Sequence, residues 1–255
     1  MDRRHELRPG VGRREILPGR ILSFTFTVVN RLFTPLLTRL YGMMLGMLLV
    51  LGAFHLSRRT TIYKDHLYQQ LVSGGRAQKL HAAEELVEVG GQRQLVLALK
   101  SRATDVREVA TSALWDLWFR EAGRHAYEMT ARAARKIDRS EFDEGLIELN
   151  EIVRLYPDFA EGWNRRATLY WIMGQYEESL SDCQKVLGLK PEHFGAWQGM
   201  ARCQMHLGDL EGAVFSLRRA VRIQPHDEAT KTLLQRCERL LRWQPKPSTS
   251  QSERA

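Results

Sequence analysis

A 34-residue period in the C-terminal half constrains this chain more than any other feature. Pro157, Pro191 and Pro225 follow one another at that spacing. Other columns keep the same register: Trp163 and Trp197; Ala133, Ala167 and Ala201; Gly174 and Gly208; Phe142, Tyr176 and Leu210; Gly145, Ser179 and Ala213. Because a fixed period of this length is typical of stacked helix–turn–helix units, we expect a helical repeat array.

The residue types in these columns suit such a unit. Small residues such as Ala167 and Ala201 allow two helix axes to lie close together. Gly174 and Gly208 can enter the left-handed conformation that ends a helix, whereas Ser140, at the same place in the first unit, is expected to fit less well. The prolines are expected to end the second helix of each unit.

A unit with an aromatic, small residues and a terminal proline at these offsets resembles the tetratricopeptide repeat. We place units at 126–159, 160–193 and 194–227, followed by a capping helix at 228–243. The predicted fold is therefore all-α, a right-handed α-solenoid over residues 125–243, with a disordered tail at 244–255. The segment is also similar to a group of bacterial tetratricopeptide proteins without an assigned activity. The resemblance implies a fold and a general role, but no substrate.

A weaker period of 28 residues precedes the repeats. It relates the segments 82–91 and 109–118, with Ala82 on Ala110 and Leu86 on Leu114. The sequence between them supplies a second helix, a loop and a new helix start that Thr104 or Asp105 could cap. Residues 60–124 are thus interpreted as a short HEAT-like helical segment. The alternative is a set of irregular helices that covers the N-terminal end of the array. In both interpretations Trp115, Leu117 and Trp118 are predicted to be core residues.

An apolar run without Lys, Arg, Asp or Glu occupies residues 40–56. It predicts a single transmembrane anchor at 40–57 behind a basic tail at 1–39, with flanking arginines that can reach the headgroups. A cleaved secretory signal is disfavoured by the long basic region and the lack of a small-residue cleavage site. An organelle presequence would explain the arginine-rich tail, but its acidic residues fit poorly. The apolar segment 21–29 is too short to span a membrane alone and is interpreted as interfacial.

The positive charge of the chain lies outside the repeats. Residues 1–59 carry 10 basic and 3 acidic side chains, whereas 125–243 carry 17 and 18. This placement favours contact with anionic lipid over nucleic acid, which would require a basic stripe on the array itself. Basic residues flank the apolar run on both sides in similar number, so the side of the membrane occupied by the repeats is left open.

The sequence predicts no catalytic site and no cofactor. It has no glycine-rich phosphate loop and no hydrolase or zinc-protease motif. The nearest approach to a metal site is Cys203 with His206 and His193, but one short helix seldom completes a zinc shell, so no metal is predicted. Cys183, Cys203 and Cys237 are odd in number and lack the spacing of a disulfide framework; we expect reduced thiols.

The first helices of successive tetratricopeptide units line a concave groove, and the resemblance carries the groove positions onto this sequence. They include Glu161 and Gly195. The predicted partner-binding residues among them are Asn164, Thr168, Trp171, Ile172, Gln198, Arg202 and Met205. Aromatic, β-branched and thioether side chains suit the apolar groups of a peptide, and the polar members suit its backbone or a carboxylate. A competing interpretation is that Trp171 and Met205 merely pack on each other.

These observations predict a membrane-anchored scaffold whose repeat groove binds a protein or peptide. Only Asn164 and Arg202 resemble the residues with which some family members grip a C-terminal carboxylate, so such a clamp is not expected. The alternative function is that of a structural subunit whose array is permanently buried in a membrane complex.

Overall fold

A computed structural model describes residues 19–58 and 60–243, with side chains from residue 37 onward except 54 and 55. Twelve helices and no strands make up these residues. They are α1 (Gly19–Arg58), α2 (Thr61–Ser73), α3 (Arg76–Glu88), α4 (Gln92–Ala98), α5 (Thr104–Arg120), α6 (Gly123–Asp138), α7 (Phe142–Leu155), α8 (Ala160–Ile172), α9 (Tyr176–Leu189), α10 (Phe194–His206), α11 (Leu210–Ile223) and α12 (Glu228–Trp243). The first 18 residues of the predicted basic tail and the predicted disordered tail at 244–255 lie outside the described residues.

The chain divides into two compact units, Met1–Ser57 and Arg58–Ala255. The described part of the first unit is the helix α1. Its stretch Leu37–Arg58 is long and apolar enough to cross a membrane by length and composition, with a mean hydropathy of 1.7 and none of it buried. Helix α1 begins well before the predicted anchor at 40–57 and includes the segment 21–29.

Helices α2 to α5 surround a core that the 28-residue period anticipates. Ala82, Ala110, Leu86 and Leu114 all lie fully inside it. The expected second helix is α4, and the expected new helix is α5. The cap of α5 differs from the prediction: its N-cap is Ala103, which offers no side-chain hydrogen bond, so neither Thr104 nor Asp105 has that role.

The repeats form the helix pairs α6/α7, α8/α9 and α10/α11, and α12 follows as the capping helix. Gly174 and Gly208 end their first helices at φ values of 77° and 80°. Ser140 takes the same conformation at φ 61°, the only positive φ of a non-glycine residue in the described chain. The first unit therefore makes the same turn with a residue for which it is less favourable.

Two other columns of the repeat also have direct structural roles. The indole Nε1 of Trp163 donates to the Pro157 carbonyl at 2.9 Å, and that of Trp197 donates to the Pro191 carbonyl at 2.8 Å. Each tryptophan thus ties the start of its own unit to the turn that ends the preceding one. Ala167 and Ala201 are buried as predicted.

The helices before the array fold back onto its second and third units. Phe194 at the start of α10 belongs to the same core as Trp118 of α5. The Lys190 ammonium pairs with Glu121 at 2.7 Å and donates to Gln92 at 3.4 Å. Trp115, Leu117 and Trp118 belong to this core or pack against it, as predicted. Helix α5 therefore lies beside the region in which the sequence predicts the groove.

Candidate functional site

Five of the seven predicted partner-binding residues line one cleft. The cleft has a volume of about 120 Å³ and lies between α8 and α10, with Ser179 and Cys183 of α9 completing its wall. The five predicted residues that line it are Asn164, Thr168, Trp171, Gln198 and Arg202. Residues that are 27 to 38 positions apart in sequence thus converge because α8 and α10 are equivalent helices of adjacent units.

Trp171 is the most informative of these residues. Its indole Nε1 is buried, and it has no hydrogen-bond partner among the residues described. A buried N–H without an acceptor is costly, so a ligand that supplies a carbonyl oxygen would be stabilised there. The guanidinium carbon of Arg202 lies 6.0 Å from the centroid of the Trp171 ring, which adds an exposed positive charge at the same place.

The two amide side chains that line the cleft are each oriented by hydrogen bonds to residues outside it. The Asn164 side chain donates to Glu161 Oε2 at 3.0 Å. The Gln198 amide donates to Asp227 Oδ2 and to Thr230 Oγ1, each at 2.9 Å. These bonds use amide N–H groups and leave the amide oxygens as acceptors, which are the complement of a peptide N–H.

Ile172 and Met205 do not line this cleft. Ile172 is 43% exposed. Met205 packs against the cluster formed by Ala201, Val214, Leu217 and Cys237. Because this cluster combines residues of α10, α11 and α12, the Met205 side chain helps to pack the last helices together.

One implied groove position, Glu161, is buried, and another, Gly195, is crowded by a neighbouring helix. Glu161 is fully buried, and its carboxylate accepts hydrogen bonds from the side chains of Asn164, Arg165 and His193. At Gly195 a Cβ would stand 2.8 Å from Cη2 of Trp115, because α5 approaches α10 there. The intruding helix α5 therefore fills one end of the groove, an effect that the repeat pattern alone does not reveal.

Sequence reasoning missed a buried dyad of His193 and Glu161. The Nδ1 atom of His193 accepts from the Ala196 N–H at 3.0 Å, which makes His193 the N-cap of α10. The ring must therefore carry its proton on Nε2, which donates to Glu161 Oε2 at 3.2 Å. The repeat pattern contains a sign of this dyad. At the position of His193 the neighbouring units have Phe159 and Asp227, so the histidine is unlike both of its counterparts.

A second cleft, of about 560 Å³, lies between α5 and the third unit. Trp115, Phe194, Gln198, Gln224, His226 and Asp227 are among its lining residues. Gln198 therefore borders both clefts, and the open concave surface continues past it toward the start of α12.

The residues weighed for a metal site do not converge. His193 is held in its buried dyad, His206 stacks on Tyr176 with ring centroids 4.3 Å apart, and the Cys203 thiol donates to Ser179 Oγ at 3.1 Å. No group of three metal-ligating side chains occurs in the part of the chain that the structure describes. Burial raises the pKa of the Cys183, Cys203 and Cys237 thiols, which favours their protonated form.

Comparison with known proteins supports the repeat assignment. Residues 170–237 match the family described as Tetratricopeptide repeat. Together with the paired helices, this match shows that the chain contains tetratricopeptide repeats. No curated protein matches the sequence.

Similar solved structures include several tetratricopeptide domains. The first such domain of Spaghetti (RPAP3), bound to an HSP90 peptide, is 17% identical with a TM-score of 0.45, over 46% of this chain and 93% of that one. The Arabidopsis OM64 domain is 15% identical with a TM-score of 0.43, over 45% and 95%. The Sgt2 domain from Aspergillus fumigatus is 16% identical with a TM-score of 0.44, over 51% and 92%.

Proposed function

We propose that this protein is a membrane-anchored interaction scaffold that binds a peptide segment of a partner protein in the cleft between α8 and α10. The observation that carries the proposal is the buried, unpartnered indole N–H of Trp171 beside an exposed guanidinium, in a cleft lined by two positioned amides. A peptide supplies what these groups lack: a carbonyl oxygen for Trp171, N–H groups for the amide oxygens, and an acidic side chain or terminal carboxylate for Arg202.

The cleft also explains why this role is favoured over catalysis. Apart from the Cys183 thiol, the polar side chains that line it are two amides, two hydroxyls, an indole and a guanidinium, which bind and orient but do not transfer protons at neutral pH. The burial of the Cys183 thiol raises its pKa, which disfavours the thiolate that a nucleophile requires.

The proposal is tested with peptides selected from a random display library against the full-length protein in nanodiscs of neutral lipid. We expect Trp171→Ala and Arg202→Glu each to lower the affinity for the selected peptides by about tenfold or more, because a hot-spot aromatic is worth about 2 kcal/mol at an interface. Fluorescence anisotropy gives the affinities, and circular dichroism should show unchanged helicity.

Arg219→Glu is a matched control, because Arg219 also lies above a tryptophan, at 5.5 Å from the Trp197 ring, but outside the cleft. It should leave peptide affinity unchanged. Equal affinities for wild type and for both cleft variants would exclude the site.

A structural subunit remains the second candidate, and one observation favours it. Trp115 of α5 already fills the groove beside Gly195, so part of the concave face is a permanent packing surface within the chain. If the array is instead buried against a partner subunit, the display selection should yield no cleft-dependent peptide, and Trp171→Ala should lower the recovery of an intact complex.

The membrane anchor rests on the apolar stretch Leu37–Arg58. Replacing both Leu45 and Leu48 with arginine should release the protein from membranes, because each central arginine costs about 2.5–3.5 kcal/mol on insertion. The measurement is the fraction pelleted after alkaline carbonate extraction, together with the mass of the mature N-terminus. A wild-type protein that is washed out, or that has lost residues 1–57, would contradict the anchor.

A further inference from the structure

A groove on the helices before the array provides a separate binding surface. It lies between α3 and α5, has a volume of about 520 Å³ and shares no lining residue with the cleft at Trp171. Leu80, Ala83 and Val87 line it from α3, and Val109 and Ala113 line it from α5. Leu80 is 46% exposed, although the residues around it are apolar. A large aliphatic side chain on the rim of an apolar trough is typical of a surface that receives another helix.

The shape of the groove fits a helix. Helices α3 and α5 run in the same direction, since Lys79 pairs with Asp105 at one end at 2.7 Å and Glu88 pairs with Arg120 at the other at 3.3 Å. The ten residues from Lys79 to Glu88 extend about 14 Å, or roughly two and a half helical turns. Ala83 and Ala113 are small and buried at the floor, so they allow a third helix to approach closely.

The negative charge of the groove determines which kind of partner can bind in it. Every ionisable side chain that lines it is a carboxylate: Glu84 on α3, and Glu108 and Asp116 on α5. Asp116 accepts from Arg120 at 2.7 Å. Glu84 and Glu108 are both exposed, and neither takes part in an ion pair within the described part of the chain. Two unpaired negative charges on opposite walls attract cations from solution and repel an acidic partner.

We propose that the groove between α3 and α5 binds a basic amphipathic helix of a partner protein. The apolar face of that helix lies against Leu80, Val87 and Val109, and its Lys or Arg side chains reach Glu84 and Glu108. This surface is independent of the peptide cleft between α8 and α10, so the protein can hold two partners at once.

The probe for this site is a synthetic helical peptide of Leu and Lys in amphipathic order, about 14 residues long, which is about four turns. Its binding to the full-length protein in nanodiscs of neutral lipid is measured by fluorescence anisotropy, with empty nanodiscs subtracted. We expect the double variant Glu84→Lys/Glu108→Lys to lower the affinity by at least about tenfold, because it turns attraction into repulsion. Leu80→Ala should also weaken binding, and more added salt should weaken the wild-type interaction.

Three controls make the outcome decisive. Glu192→Lys changes the same charge at an exposed turn that does not line the groove and should leave the affinity unchanged. A peptide with Glu in place of Lys, and one with Leu and Lys in scrambled order, should bind at least about tenfold more weakly. Unchanged binding in the double variant, or equal binding of the Lys and Glu peptides, would overturn the proposal. Because Trp171→Ala is expected to leave this interaction intact, the two sites can fail separately.

Discussion

His193→Ala is expected to lower the free energy of unfolding by about 2–4 kcal/mol, because it removes a buried hydrogen bond to Glu161, worth about 1–3 kcal/mol, and the N-cap of α10, worth about 1 kcal/mol. Both side chains are fully buried, and the histidine also caps α10. Urea denaturation of the protein in nanodiscs, followed by circular dichroism, measures the loss.

The two roles of His193 can be separated with His193→Asn. Asparagine is a good N-cap, so it should recover about 1 kcal/mol of the loss, but it is too short to reproduce the imidazole contact with Glu161. Glu161→Gln keeps the shape of the partner and should be milder than Glu161→Ala. If His193→Ala unfolds at the same urea concentration as wild type, the dyad contributes nothing to the fold.

Trp118→Ala is expected to cost about 3–5 kcal/mol, the range for removing a fully buried aromatic side chain. Trp118 is 0% exposed, it stacks on His193 with ring centroids 4.3 Å apart, and its Nε1 donates to Gln92 at 3.0 Å. The variant therefore leaves a cavity at the point where α5 meets the third repeat. A thermal melt followed by circular dichroism should show a lower midpoint.

Trp243→Ala is the matched control. Because Trp243 is 86% exposed, this variant should have the same melting midpoint as wild type. The double variant Trp118→Ala/His193→Ala should lose less than the sum of the two single variants, because the stacking contact is counted in both. Strict additivity would mean that the two rings do not stabilise each other.

The repeat units could be predicted from the sequence because their determinants are local and occur more than once. Gly174, Gly208 and the tryptophans of the second and third units each mark a turn within six residues of themselves, and the helices follow between them. The capping helix was also predicted, with its bounds at 228–243, because its apolar spacing continues the pattern.

The candidate cleft could be predicted only in part. Asn164, Trp171, Gln198 and Arg202 converge because their positions follow from the stacking of equivalent helices. Met205 packs against a cluster that includes Cys237 of α12 as well as residues of α10 and α11. That contact joins parts of the chain with no shared period, so a repeat register carries no information about it.

At the opposite end of the groove, too, the repeat register does not predict which positions are buried or crowded. The burial of Glu161 involves His193, at the end of its own unit, and the crowding at Gly195 comes from Trp115 of α5, which lies outside the repeats. Neither partner is implied by the tetratricopeptide columns, since His193 departs from its column and Trp115 precedes the array.

If the cleft at Trp171 binds a peptide as proposed, the position of Trp115 over Gly195 limits the length of peptide that it can hold. With that side bordered by its own chain, the cleft of about 120 Å³ accommodates only a few residues of an extended segment. Recognition of so short a motif gives modest intrinsic affinity, and specificity must then come from raising the local concentration of the partner. With the proposed anchor, confinement of both proteins to one membrane, or a second contact elsewhere on the same partner, would supply that concentration and convert a weak motif into stable association.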